Sequence, residues 1–271
     1  MCLAALALGQ HPRYPLVLIT NRDEFHDRPS VPLAPWSLPS GLTVFSGRDA
    51  RAGGTWCGMD AHGRVALITN VRRPQQPVPA DAPSRGQLPL DRWNSALPAA
   101  DFWAQLTPAP ATWAPFNLLM GSVNGPWFWG SNVGEASHRV LPAEGLFGLC
   151  NAALDTPWPK LVSLKQHLHR ILAHTAAHAS LETLCAELWS ALADRTRFDD
   201  ALLPDTGVGL PLERLLSSVF VHDDARGRYG TRCATLIVAE RHGAVHILER
   251  RFSADGTCEG ETHLCPAGLF N

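Results

Sequence analysis

Short apolar runs, then two longer segments with helical spacing, then short apolar runs again: this order restricts the fold more than any other feature of the chain. Residues 2–8 and 16–20 are continuously apolar apart from Thr20 and are separated by a turn containing Pro12 and Pro15, so they read as a hairpin of buried strands. Residues 63–70 and 146–150 read as further buried strands that end next to Asn70 and Asn151. Residues 116–123 and 126–130 flank Asn124-Gly125, a hairpin turn signal. In the middle, 160–177 places Leu161, Leu164, Leu168, Ile171 and Leu172 on one helical stripe. Residues 181–192 repeat the pattern after Ser180, a residue type suited to an N-cap, and Pro211 suits the opening turn of a third, short helix. Two last strands are expected at 233–240 and 244–250, around the turn Arg241-His242-Gly243. The Pro-rich polar stretch 74–86 reads as a surface loop. Strands, helices and strands again imply an α+β sandwich in a single domain over 1–271, a length near the size limit of about 250–300 residues for one core.

Charge and cysteine content exclude several function classes. Formal net charge is −2, so no basic field is available to gather the phosphates of a nucleic acid. Seven cysteines, an odd number with no CxxC pair, read as reduced thiols of a cytoplasmic protein rather than as a disulfide framework or zinc site. No apolar run approaches the roughly 20 residues of a membrane-spanning helix. The apolar start is short for a signal peptide and has no basic residue before it, which favours a first strand. His167, His174 and His178 fall in one narrow sector of a helix, but no Cys or carboxylate joins them at ligand spacing, so the plain reading is a solvated helix shoulder. Nine tryptophans, Trp56 and Trp158 among them, read mostly as packing, with an apolar ligand pocket as the functional alternative.

Two clusters carry chemistry. Methionine before a small residue is normally trimmed, and trimming of Met1 would give Cys2 a free α-amine. Such a terminus is a compact catalytic unit. The thiol attacks and the amine, with an ordinary pKa of about 7.7–8.0, serves as its base. The alternative is a plain buried Cys at the start of an apolar strand. The second cluster is Asn21-Arg22-Asp23-Glu24, directly after an apolar run. It reads either as a strand reaching solvent or as a site in which Arg22 supports a Cys2 thiolate while a carboxylate orients the amine. In an extended chain Arg22 and Glu24 would share one face, and Asn21 and Asp23 the other.

With these residues stand Phe25, Arg28-Pro29, Ser46-Gly47-Arg48-Asp49, Gly53-Gly54-Thr55-Trp56, Thr69-Asn70, Phe116-Asn117-Leu118, Asn151-Ala152, Leu154 to Trp158, Lys160, Tyr229 to Arg232 and Glu249-Arg250. In this order the chain resembles the NRDE family, also called the transport and Golgi organization protein 2 family, over nearly its whole length. The resemblance implies a four-layer αββα sandwich of the N-terminal-nucleophile (Ntn) hydrolase type, similar to penicillin V acylase and bile-salt hydrolase. It implies hydrolysis of a linear amide C–N bond in an acylated small molecule, with no cofactor required. Cys2 matches the nucleophile, Arg22 the first Arg, Asn70 and Asn151 the oxyanion-site pair, and Arg232 the late Arg. The acylases separate their Arg and Asp by two residues. Here Asp23 adjoins Arg22, so either Asp23 or Glu24 takes that place. A second implication, of a different class, is a non-catalytic carrier: members of the resembled family have been linked to haem trafficking and to lipid or acyl-CoA homeostasis. The expected partner is a small hydrophobic or acylated molecule, with haem as one such ligand.

Overall fold

The computed structural model describes residues 2–76, 78–106, 112–134, 138–223 and 227–266. Six strands open the chain: Cys2–Leu8 (β1), Leu16–Phe25 (β2), Ser30–Ser37 (β3), Thr43–Asp49 (β4), Cys57–Asp60 (β5) and Arg64–Asn70 (β6). Two short helices follow, Gln87–Asn94 (α1) and Ala99–Leu106 (α2), then Phe116–Ser122 (β7), Trp127–Ser131 (β8), His138–Leu141 (β9) and Gly145–Leu149 (β10). The helical middle comprises Pro159–His174 (α3), Leu181–Leu192 (α4) and Leu210–Leu215 (α5). Tyr229–Ala239 (β11), Val245–Phe252 (β12) and Cys258–Leu264 (β13) close the chain.

All described strand pairs are antiparallel, in two sheets ordered β10-β1-β2-β11-β12-β13 and β3-β4-β5-β6-β7-β8-β9. Side-chain alternation sorts the first sheet into two faces. Leu3, Ala5, Val17, Ile19, Leu236 and Val238 meet the stripe Leu161, Leu164, Leu168 and Leu172 of α3 and Leu184 and Leu188 of α4. Ala4, Leu6, Leu16, Leu18, Ile237 and Ile247 face the second sheet and meet Met59, Val65, Leu67 and Leu119. The outer side of that sheet carries α1, whose Leu90 and Trp93 cover Val44 and Ala66, and α2, whose Trp103 lies on Gly130. The result is the four-layer order helix, sheet, sheet, helix.

The helices begin where local chemistry allows. Pro159 occupies the first turn of α3, where an amide N–H would have no helical partner, and Ser180 Oγ caps α4 by accepting from Thr183 N at 3.2 Å. α3 ends at His174, so His178 is not on the helix that was to carry all three histidines, and their shared sector does not form. His174 Nδ1 lies 2.7 Å from the Arg170 carbonyl, and no group of three or more potential metal ligands is found among the described residues. All seven cysteines are free thiols, five of them buried. No helix of the described residues is long and apolar enough to cross a membrane.

β2 departs from expectation in a way that matters. It continues through Asn21-Arg22-Asp23-Glu24 to Phe25 instead of stopping at Thr20, and Asn21, Arg22 and Asp23 are buried. The first three residues of the polar cluster are therefore interior, held between β1 and β11, and the strand reaches solvent only at Glu24 and Phe25.

Candidate functional site

Cys2 and Arg22 are directly paired across β1 and β2, and Cys233 pairs with Arg22 from the other side. All three side chains point between the sheets. Asn21 points the other way: its Nδ2 donates to the carbonyls of Leu192 at 2.9 Å and Val219 at 3.0 Å, which ties the strand to the helical layer. Opposite the step from Arg22 to Asp23, β11 shifts register between Thr231 and Cys233, with Arg232 as the extra residue. Such a bulge bends and twists the local ladder. It is the place where strict alternation gives way, and Arg22, Asp23 and Glu24 all line one cleft with Cys2.

That cleft holds about 130 Å³ and is completed by Arg28, Asp49, Thr55, Trp56, Thr69 and Asn70, and by residues 84–86. Arg22 is 5% exposed, lies 4.3 Å from the Trp56 ring centroid and 3.5 Å from Asp49 through Nη2. Its Nη1 is buried with no hydrogen-bond partner among the described residues. Asp49 is anchored in turn by the N–H groups of Arg51 and Ala52, both at 3.0 Å, and by Arg28 Nε at 2.5 Å. Burial works to raise the Asp49 carboxyl, but these hydrogen bonds outweigh it and hold the group below the ordinary carboxylate range. Burial pushes the Cys2 thiol above its ordinary value, with the positive charge of Arg22 among the groups pulling it back. Asp23 has no exposed surface. Burial raises its carboxyl too, opposed by the Lys160 cation and by the 2.7 Å hydrogen bond from Thr231 Oγ1.

Asn70 and Asn151 are brought together although 81 positions apart. Asn151 Nδ2 donates to the Asn70 side-chain oxygen at 2.9 Å and to its carbonyl at 3.2 Å. Behind them Thr69 Oγ1 donates to the Cys150 carbonyl at 3.0 Å, and Asn117 Nδ2 donates to Thr69 Oγ1 at 3.0 Å and to the Ala152 carbonyl at 2.9 Å. Asn70 lines the Cys2 cleft. Asn151 lines a larger neighbouring groove of about 790 Å³ with Arg72, Arg73, Gln75, Gln76, Trp158 and Asp205. The larger of these two spaces thus lies beside the Cys2 cleft and not at it, with Asn70 lining one and its partner Asn151 the other.

Arg232 is placed elsewhere. Its Nη1 donates to the carbonyls of Phe25 at 3.0 Å, His26 at 2.9 Å and Arg28 at 3.1 Å, and it does not line the cleft. It holds the turn that follows β2. Several residues of the site carried no role in the sequence reading. Asp49 and Trp56 belonged to quoted motifs without an assigned partner. Ser84, Arg85 and Gly86 come from the stretch taken as a surface loop. Its first part, apart from Pro77, which is outside the described residues, is exposed, but its end reaches the cleft. The Gly53-Gly54 pair held the readable signal. A Cβ on Gly54 would lie 2.4 Å from the Gly86 backbone, so this close approach requires glycine. The approach is sealed by Thr55 N donating to the Gly86 carbonyl at 2.9 Å. Met1 lies outside the described residues.

Comparison with known proteins agrees with this architecture. The family model described as Transport and Golgi organisation 2 matches residues 1–254. The "Transport and Golgi organization protein 2 homolog" of Bos taurus is 30% identical over 278 aligned positions, covering 97% of each chain. The Mus musculus homolog is 29% identical at the same coverage, and the Drosophila melanogaster protein 28% identical, covering 100% of this chain and 96% of its own. The chain belongs to this family. Among solved structures it is similar to penicillin V acylase from Agrobacterium tumefaciens, with TM-score 0.51 and 11% identity over 93% of this chain and 83% of the other. It is also similar to the C2A mutant of conjugated bile acid hydrolase from Clostridium perfringens, with TM-score 0.52 and 7% identity over 100% and 94%. At these identities the likeness establishes the Ntn-hydrolase-like fold and nothing finer.

Proposed function

We propose that this member of the Transport and Golgi organisation 2 family is a cysteine hydrolase that cleaves a linear amide C–N bond of an acylated small molecule, with Cys2 as its nucleophile. The observation that carries the reading is the convergence of Cys2, Arg22, Asp23 and Asn70 on one small cleft at the interior end of β1 and β2. A core residue needs no such company. Buried Arg and Asp are normally fully paired, yet Arg22 keeps one donor unused.

The steps follow from these groups. After removal of Met1, the Cys2 α-amine takes the thiol proton and the sulfur adds to the amide carbonyl carbon. Asn151 holds the oxygen of the Asn70 amide, which leaves the Asn70 N–H group for the developing oxyanion. The C–N bond breaks as the α-ammonium returns its proton to the leaving amine. Water, with the amine again as base, then opens the thioester to a carboxylic acid and frees the thiol. Asp23 takes the role of orienting the amine in this reading. Glu24 is spent on the Phe25 N–H at 2.9 Å and lies 4.0 Å from Arg28. A cleft of about 130 Å³ holds the reacting bond and little more, so the body of the substrate lies in the groove beyond Asn151.

The test is turnover of a panel of N-acyl aminocoumarins, acetyl to palmitoyl, by protein with Met1 removed. Hydrolysis by the wild type, abolished in Cys2→Ala with unchanged circular dichroism, is the expected result. Full activity in Cys2→Ala overturns the mechanism. A second reading, a lipid or haem carrier, is favoured by the size of the groove and by Trp158 in its wall. Its described lining residues include no His or Cys to hold iron, which points to an acyl-CoA and not to haem. Saturable acyl-CoA binding by Cys2→Ala, without turnover by the wild type, would select that reading.

A further inference from the structure

The way Arg22 is held is more elaborate than a buried arginine needs. Asp49 is fixed before it meets Arg22: both its carboxylate oxygens and both its main-chain groups are engaged, the latter with Gly53 N and the Gly54 carbonyl at 2.8 Å each. The Trp56 ring is fixed as well. It sits on the bare backbone of Gly47, where a Cβ would come within 2.5 Å of the ring. A planar guanidinium stacked on an indole and tied at one end keeps a defined direction for its other end. Here that other end is Nη1, buried and unpartnered among the described residues, on a side chain that lines the cleft opposite Cys2.

We propose that Asp49 and Trp56 are positioning residues that clamp Arg22, so that its free Nη1 is kept for the Cys2 sulfur and for the charge that develops there. The proposal rests on the reading of Cys2 as nucleophile. Two explanations for Asp49 make opposite predictions. If Asp49 acted only through its charge, neutralising it would favour the Cys2 thiolate, and Cys2 would react at lower pH. If it acts by holding Arg22, neutralising it lets the cation turn away, and Cys2 reacts only at higher pH. The other groups that bear on Cys2 keep their identity in such a variant: the chain's α-amine, Arg22, Asp23 and Glu24 on β2, Arg28 in the same cleft, which also bonds Asp49, Arg85 ahead of α1, Cys57 on β5, and Tyr229 and Cys233 on β11. Glu249 on β12 bears on Cys57, Cys233 and Arg22 and is also unchanged.

The experiment is carbamoylmethylation of Cys2 by iodoacetamide, followed peptide by peptide in the mass spectrometer across neutral and alkaline pH. Peptide resolution is needed because Cys258 and Cys265 are exposed and will also react. For Asp49→Asn the expected result is a rate at neutral pH lower by roughly tenfold and a profile displaced to higher pH. Trp56→Leu moves the profile the same way by less. In an Arg22→Ala background neither substitution slows the reaction further. A profile that stays in place or moves to lower pH in folded Asp49→Asn overturns the clamp, as does equal slowing with and without Arg22. If Asp49→Asn does not fold, Trp56→Leu with the same Arg22→Ala comparison decides. Hydrolysis that survives in Cys2→Ala removes the nucleophile reading, while the alkylation profiles still judge the clamp itself.

Discussion

The two ends of the first sheet bury polar groups in opposite ways. At the far end, where β1 turns into β2 and β11 into β12, each polar side chain finds a partner. His11 Nε2 lies 3.1 Å from the Thr175 carbonyl, Tyr14 Oη donates to the Ala179 carbonyl at 3.0 Å, and Arg13 donates to the same carbonyl at 2.8 Å while pairing with Glu240 at 3.2 Å. His246 bridges His263 at 3.1 Å and Glu240 at 3.3 Å. These bonds fasten the loop between α3 and α4 to the sheet. At the Cys2 end, Arg22 Nη1 and the Nζ of fully buried Lys160 have no hydrogen-bond partner among the described residues. Buried polar groups without partners cost stability, so they persist where something other than stability is served. One end of the sheet is fastened by paired polar groups, and the other is the end at which hydrolysis is proposed.

The largest effects are expected at the Cys2 end. Cys2→Ala is expected to abolish hydrolysis of the N-acyl aminocoumarins. Asn70→Ala is expected to lower kcat by about 10²–10³-fold, the scale of losing one oxyanion donor, and to cost about 1 kcal/mol of stability through the lost bond from Asn151. An Asn70→Ala enzyme with full turnover would show that the two asparagines serve only as local backbone partners. At the far end only stability is affected. Tyr14→Phe deletes one buried hydrogen bond and costs about 1 kcal/mol in a urea titration, with turnover unchanged. A smaller effect belongs to His246. Burial lowers its folded-state pKa, opposed by the bond to Glu240. Its contribution to stability is therefore present in full above the ordinary histidine value of about 6.5 and is lost as pH falls through the lower folded-state value. Melting curves of wild type and His246→Gln should diverge above that window and converge below it. Convergence at all pH values would remove His246 from the account.

The same contrast explains what could be read from the sequence. The strands with continuous apolar runs and the two long helices were legible, because burial on both sides or on one stripe leaves a pattern. β3 and β13 left none. β3 is an edge strand carrying Pro32 and Pro35, which only an edge tolerates, and β13 is mostly exposed. α1 was hidden by its polar composition, and both α1 and α2 have only eight residues. Asn21-Arg22-Asp23-Glu24 concealed the end of β2, since buried charges look like exposed ones until their partners are known. Cys2 and Arg22 were legible as candidates from their chemistry, and Asn70 only through the resemblance; the structure brings all three to one cleft. Asp49 and Trp56 could not, because nothing in the chain links positions 22, 49 and 56 until β2 and β4 are folded against each other. Arg232 shows the converse. Its residue type fits a site, but three carbonyls after β2 claim its guanidinium.

The proposed reaction passes through a covalent acyl intermediate on the Cys2 sulfur. The most direct measurement is intact and peptide-mapped mass of protein with Met1 removed, acid-quenched during turnover of an N-acyl aminocoumarin. The expected result is an added acyl mass confined to the Cys2 peptide and absent from Cys2→Ala. Turnover with no acyl mass on that peptide, or an adduct on another residue, would contradict it.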